Sequence, residues 1–269
     1  MSGFEIVAVT LIVAIAMSVI MTVAWIVQQN TGNSGWIDTS WSFGIGLTGV
    51  AAALVLPAGE GFHARQILVA CFVGVWALRL GIHIARRSTH ITDDPRYAAL
   101  IKGWGQEAPR RMFGFLQIQA LVSVPLIMTI FLAAHHPAGG LTLSDGVAIV
   151  VMVIAVLGEG FADWQLQRFK LDPANKGGVI QSGLWRFSRH PNYFYETVGW
   201  LAYPIIAVDL SGQYPWGWLA LAAPITMYWL LVHVSGIPPL EQHMVRSRGE
   251  VFRAYQRRTN AFFPGPPRD

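Results

Sequence analysis

The chain reads as an all-α, polytopic integral membrane protein of about seven transmembrane helices, and three observations lead there. Of its 269 residues, 53% are hydrophobic and only 13% charged, against roughly 25% charged in an ordinary soluble domain. The apolar residues gather in runs near the length of about 20 that a bilayer core demands of one helix. All but Arg65 and Arg79 of the 19 Lys and Arg fall into three segments that follow particular runs. The one cysteine, Cys71, excludes an internal disulfide and any CxxC-type metal site. The net charge of +4 is therefore read as membrane topology, not as a nucleic-acid surface.

The runs come in order. Residues 6–27 carry no charge and no basic stretch precedes them, so they predict a retained helix and not a cleaved signal. A second run covers 36 to about 57, ending near Pro57, and a third covers 66–85 with Arg79 inside it. The fourth, 112–134, holds Pro125 at its middle; the fifth, about 141–166, ends with Glu159 and Asp163. The sixth is charge-free only over 197–208 and must borrow residues from around Pro191 to span. The seventh lies within the charge-free stretch 210–240. One membrane domain, 1–269, results, with helices 1–4 in 1–135 and helices 5–7 plus a tail in 136–269.

Arg86, Arg87, Arg96, Lys102, Arg110 and Arg111 follow the third run, and Arg168, Lys170, Lys176, Arg186 and Arg189 follow the fifth. Arg246, Arg248, Arg253, Arg257, Arg258 and Arg268 follow the seventh. Alternating helices put all three segments on one side, which the positive-inside bias makes the cytoplasm. The amino terminus then faces out and the carboxyl terminus in.

Ionisable groups at membrane depth cost several kcal/mol unless paired or solvated, so each is a candidate for function. Asp38 begins the second run, Arg79 and His83 lie late in the third, and Glu159 and Asp163 late in the fifth. Glu196 opens the sixth, and His233 and Glu241 close the seventh. Under the expected topology all fall at cytoplasmic ends, where one polar cavity open to the cytoplasm would collect them. Snorkelling end-residues and interhelical salt bridges are the structural alternative.

The segment Arg189-His190-Pro191-Asn192-Tyr193, with Glu196 after it, is the most informative. Pro191 pre-sets a helix first turn, so Arg189 and His190 would stand at a helix amino terminus, where charge and dipole both favour phosphate. Asn192, Tyr193 and Glu196 follow within about one turn. In the tail, Arg253-Ala254-Tyr255-Gln256-Arg257-Arg258 predicts a short basic amphipathic helix along the inner surface. Two other motifs carry nothing. Gly44-Ile45-Gly46-Leu47-Thr48-Gly49 matches a dinucleotide fingerprint but sits in an apolar span without a preceding strand, so close helix packing accounts for it better. His135-His136 has no acid or cysteine nearby, and no metal is expected.

Through Ser182-Gly183-Leu184-Trp185, Arg189-His190-Pro191-Asn192-Tyr193 and Glu196, the chain resembles the steroid 5-alpha-reductase family, and more closely its bacterial branch; sterol reductases share a related segment. The resemblance covers about 159–264, and more loosely 36–97. It implies a seven-helix enzyme of the bacterial cytoplasmic membrane, a monomer, that uses NADPH to reduce the carbon–carbon double bond of an enone such as a 3-oxo-Δ4-steroid. By position, Asp163, Lys170, Asn192 and Glu196 match cofactor-holding residues; Arg79, Arg96 and Tyr97 match more loosely. Arg168, Arg189, His190, Tyr193, Glu241 and Tyr255 complete the expected cofactor set, which leaves helices 1–4 as the substrate side. In the steroid enzymes a glutamate early in the second helix and a tyrosine on the third polarise the ketone. Here Asp38 is the acid nearest the first, and Trp76 stands at the second.

The expected catalytic residues are thus Asp38, protonated and donating to the ketone, and Glu196, with Trp36, Trp41 and Trp76 beside the substrate. Aromatic lining from the 11 Trp suits a flat apolar ligand. Membrane methyltransferases of the isoprenylcysteine type share the Arg-His-Pro-x-Tyr element and use S-adenosylmethionine, which gives the second reading. A transporter is the third, opposed by an odd span count and the lack of an internal repeat.

Overall fold

A computed structural model describes residues 1–55, 62–89 and 94–268. The expected end of the second span near Pro57, and the side chain of Arg87, lie outside the described residues. The helices are α1 Gly3–Thr31, α2 Gly35–Leu54, α3 His63–Ser88, α4 Pro95–Trp104, α5 Ala108–Ala134, α6 Leu143–Leu171, α7 Pro191–Trp200, α8 Ala202–Ala207, α9 Ala222–Trp229, α10 Ile237–Arg248 and α11 Glu250–Arg258. There is no strand among the described residues. Five stretches are long and apolar enough to cross a membrane: Gly3–Thr31, His63–Arg86, Arg96–Ala134, Leu143–Leu171 and Pro215–Arg248. That is the make-up of a multi-pass membrane protein.

Two of the seven expected spans are not among those five. The second is α2, which has the length, at 20 residues, but dilutes its apolar content with Gly, Ser, Thr and Asp38. The sixth is broken: α7 is 10 residues long and α8 only 6, so neither crosses about 30 Å of hydrocarbon alone. The seventh is longer than expected but not continuous, since a π turn over Leu230–Val234 and the Ser235-Gly236 bend separate α9 from α10.

The chain folds as two compact units, Met1–Asp145 with Tyr203–Ala223, and Gly146–Ala202 with Pro224–Asp269. In the first, α2 packs against α1, α3 and α5. Its glycines decide how closely. A Cβ at Gly46 would collide with the Ala77 methyl on α3, one at Gly44 would lie 2.9 Å from Ile20 on α1, and one at Gly49 2.9 Å from Ile130 on α5. The Gly-rich run of α2 is a helix-packing surface. On α1, Val9, Val13, Met17, Met21, Ala24 and Gln28 are buried at intervals of three and four, while Val7, Leu11, Ile15, Val19 and Val23 are exposed and suit lipid. Polar bonds join α1 to α5: Ser18 donates to Gln117 at 2.6 Å, and Gln117 donates to Thr22 at 3.1 Å.

Arg65 on α3 is fully buried with Asp145. Its Nε and one Nη donate to the carboxylate at 2.9 and 2.8 Å, and the remaining hydrogens reach the carbonyls of His136, Ala138 and Gly140. His135 is occupied locally, bonding the Phe131 carbonyl at 2.9 Å.

In the second unit, a one-turn 3-10 helix over Gly183–Arg186 docks on α6. The Trp185 indole donates to the Ala162 carbonyl at 3.0 Å, and Gln165 accepts from the Leu184 amide at 3.0 Å. Gly183 has φ +60° and sits directly on the Gln165 side chain, so both conformation and space there require glycine. Tyr195 on α7 lies over Gly158 on α6, where a Cβ would meet its ring at 2.5 Å.

Candidate functional site

The expected site residues form one cluster in the first unit and two in the second. In the first unit, Asp94 caps α4 by accepting from the Arg96 amide at 3.0 Å, and Pro95 supplies the first turn. Capping fixes where Arg96 and Tyr97 begin. The Arg96 guanidinium donates to both oxygens of Asp94 at 3.0 Å and also to Asp38 on α2. The Tyr97 hydroxyl donates to the other Asp38 oxygen at 2.7 Å and accepts from the Gln119 amide at 3.1 Å. Tyr97 is 3% exposed. Both Asp38 oxygens are engaged, one by the Arg96 guanidinium and the other by the Tyr97 hydroxyl. Of the other expected residues of this unit, Trp76, buried, and Trp41 meet edge-to-face at 6.4 Å between ring centres, and Trp36 and Arg79 are half-buried.

In the second unit, Asn192 lies in the first turn of α7 and donates to Asp163 on α6 at 3.1 Å. Its carbonyl oxygen is buried and has no hydrogen-bond partner among the described residues. Such an acceptor costs about 1–3 kcal/mol if left alone. Glu196, one turn along α7 and buried, accepts from the Trp200 indole at 3.0 Å.

Arg189 and His190 do stand just before α7, but a carboxylate already engages them. Arg189 donates to Glu241 at 2.7 and 3.1 Å and to the carbonyls of Gln256 and Thr259. His190 lies 2.9 Å from Glu241, and Gln256 donates to the same carboxylate at 2.6 Å. Burial holds the His190 imidazole below its ordinary value, against the opposing pull of Glu241. The His190 and Tyr193 rings stack at 5.4 Å. Tyr255 is not at a surface: its hydroxyl donates to the Trp185 and Ser188 carbonyls, and burial pushes its ionisation up. Arg168 is exposed and lies 5.4 Å over the Trp164 ring; Lys170 is exposed. A cavity of about 380 Å³ lined by Pro238, Glu241, Gln242, Val245, Arg246 and Gln256 adjoins the Glu241 cluster.

The structure thus brings together Asp38, Arg96 and Tyr97 in one cluster, Asp163 with Asn192 in another, and Arg189, His190 and Glu241 in a third. Sequence reasoning missed Gln119 and Gln256, which complete the first and third. Gln119 had a signal, being an amide inside the apolar run 112–134; attention to ionisable groups alone passes over it. Among the described residues, no group of three or more His, Cys, Asp or Glu could hold a metal ion.

No solved structure matches the chain. An uncharacterized protein of Schizosaccharomyces pombe is 25% identical over 290 aligned positions, which cover 94% of this chain and 79% of the relative. The family described as "Protein of unknown function (DUF1295)" matches residues 24–259, nearly the whole chain, and the protein belongs to that family.

Proposed function

We propose that this protein is an NADPH-dependent membrane reductase of the carbon–carbon double bond of a conjugated enone, with a 3-oxo-Δ4-steroid as the substrate class. The reading rests on the resemblance carried by Arg189-His190-Pro191-Asn192-Tyr193 and Glu196 to the steroid 5-alpha-reductases. The single observation that supports it most is the Asp163–Asn192 pair with its unpartnered buried carbonyl oxygen. A carboxamide NH2, such as that of nicotinamide, is the donor such an oxygen lacks. The residues present therefore fit the group. In this reading Asp163, Asn192 and Glu196 hold the carboxamide. The exposed guanidinium and ammonium of Arg168 and Lys170 suit its phosphates.

When bound, NADPH supplies the hydride that goes to the β-carbon of the enone. Negative charge on the ketone oxygen would call for a hydrogen-bond donor aimed at it. In this reading Asp38 is the acid beside that oxygen, and it holds the Arg96 guanidinium, whose further N–H donors can also bond an oxyanion. One such donor is worth about 3–4 kcal/mol of barrier. The α-carbon takes its proton from water. We also read the chain as seven spans, with α2 and α7–α8 completing the set, the amino terminus outside and the basic segments in the cytoplasm.

The test is cofactor titration of Asn192→Ala and Glu196→Gln, followed through quenching of the protein's tryptophan fluorescence. Loss of one buried bond of this kind is worth about tenfold in affinity. Unchanged NADPH affinity in both variants overturns the reading. Binding of S-adenosylmethionine with none of NADPH would make the protein a membrane methyltransferase.

A further inference from the structure

We propose that the outward face of α11 and the end of α10 bind anionic phospholipid headgroups, and that this contact holds the tail closed over the Arg189–Glu241 cluster. Placement comes first. The stretch 210–240 is free of charge and charges begin at Glu241, so the polypeptide leaves the hydrocarbon there. The crossing stretch Pro215–Arg248 ends two residues before α11 starts at Glu250. The tail cannot be far from the bilayer surface.

Charge is the second observation. Arg246, Arg248, Arg253, Arg257, Arg258 and Arg268 are all exposed. Against them, the one acidic residue in 242–268 is Glu250, which is bonded by Arg257 at 2.6 Å. Val251, Phe187 and Phe263 are 51%, 44% and 60% exposed, a mixture of arginine and apolar side chains that suits the headgroup boundary.

The opposite face of α11 supplies the coupling. Phe252 and Tyr255 are buried there, and Tyr255 donates to the Trp185 carbonyl. Gln256 donates to Glu241, while the Gln256 and Thr259 carbonyls accept from Arg189. Beyond α11, the Arg189 amide donates to Asn260 and the Gly265 amide to Phe187, at 2.9 and 3.0 Å. Arg189 therefore enters the end of a helix that already carries Arg257 and Arg258. Headgroup anions on the outer face relieve that crowding of like charge, and the clasp tightens. This inference goes beyond the reductase reading, and none of its measurements uses a nucleotide.

The full-length protein is placed in nanodiscs of phosphatidylcholine with and without phosphatidylglycerol, and amide hydrogen exchange is followed alongside mass spectrometry of retained lipid. Phosphatidylglycerol is expected to be enriched among retained lipids and to slow exchange over 250–265 and at Ser188–His190. Added salt should weaken both effects. In R253Q/R257Q/R258Q the enrichment should fall by about fivefold per arginine removed, with exchange in α1 unchanged as the folding control. Equal exchange of the wild-type protein in the two lipids overturns the proposal whatever the variant does, as does an undiminished enrichment in the variant. Protection in pure phosphatidylcholine by soluble glycerol phosphate would also overturn it, since the surface would then read free phosphate and not a bilayer.

Discussion

Arg65 uses all five of its N–H donors, two on Asp145 and three on the carbonyls of His136, Ala138 and Gly140. A buried guanidinium is tolerated only when so completely met. Asp145→Asn leaves the charge without its counterion, and removing one member of such a pair costs about 3–5 kcal/mol. A clear fall in melting temperature in detergent is expected, and an unchanged one would mean the clasp contributes nothing. The same rule explains what became of Arg189. Two arginines in one sequence, one unassigned and one expected to hold phosphate, both turn out to be held by carboxylates 80 and 52 residues away. Residue type announced that each needed a partner; only folding chose which.

At the scale of elements, α2 shows how a motif can mean packing. Its Gly44, Gly46 and Gly49 face α1, α3 and α5 in turn, an arrangement possible because residues two, three and five apart point to different sides of a helix. Gly46→Ala should destabilise by about 1–3 kcal/mol through overpacking against Ala77, and adding Ala77→Gly should restore the loss, as read by thermal unfolding. Failure of the second change to rescue would show that the two backbones are not in contact. The apolar runs were legible because burial in lipid requires length and composition alone, and α1, α3, α5 and α6 lie where the runs 6–27, 66–85, 112–134 and 141–166 place them. The break between α7 and α8 was less so. Residues 197–208 carry no charge, yet Leu201 interrupts the helix, and an apolar count does not register a break.

For the whole molecule, the distribution of Lys and Arg makes a claim about orientation that labelling can check. Cys71 is the one cysteine, so Cys71→Ser gives a blank background. In it, Gly139→Cys should react with a membrane-impermeant maleimide in intact cells, and Ser247→Cys only after permeabilisation. Both positions are exposed; the opposite pattern would invert the proposed topology.

Composition and periodicity by themselves determined that the chain is helical and carries several stretches apolar enough to cross a membrane, since solvation by hydrocarbon acts on each segment separately. They also marked the ionisable residues at depth: Asp38, Arg79, His83, Glu159, Asp163, Glu196, His233 and Glu241. Partnership was decided only in three dimensions. Asp38 faces Arg96 and Tyr97 as an acceptor, and Glu241 reaches back to Arg189 and His190. Hydrogen-bond geometry between distant segments depends on helix packing to within an ångström, and a one-dimensional pattern does not carry that distance.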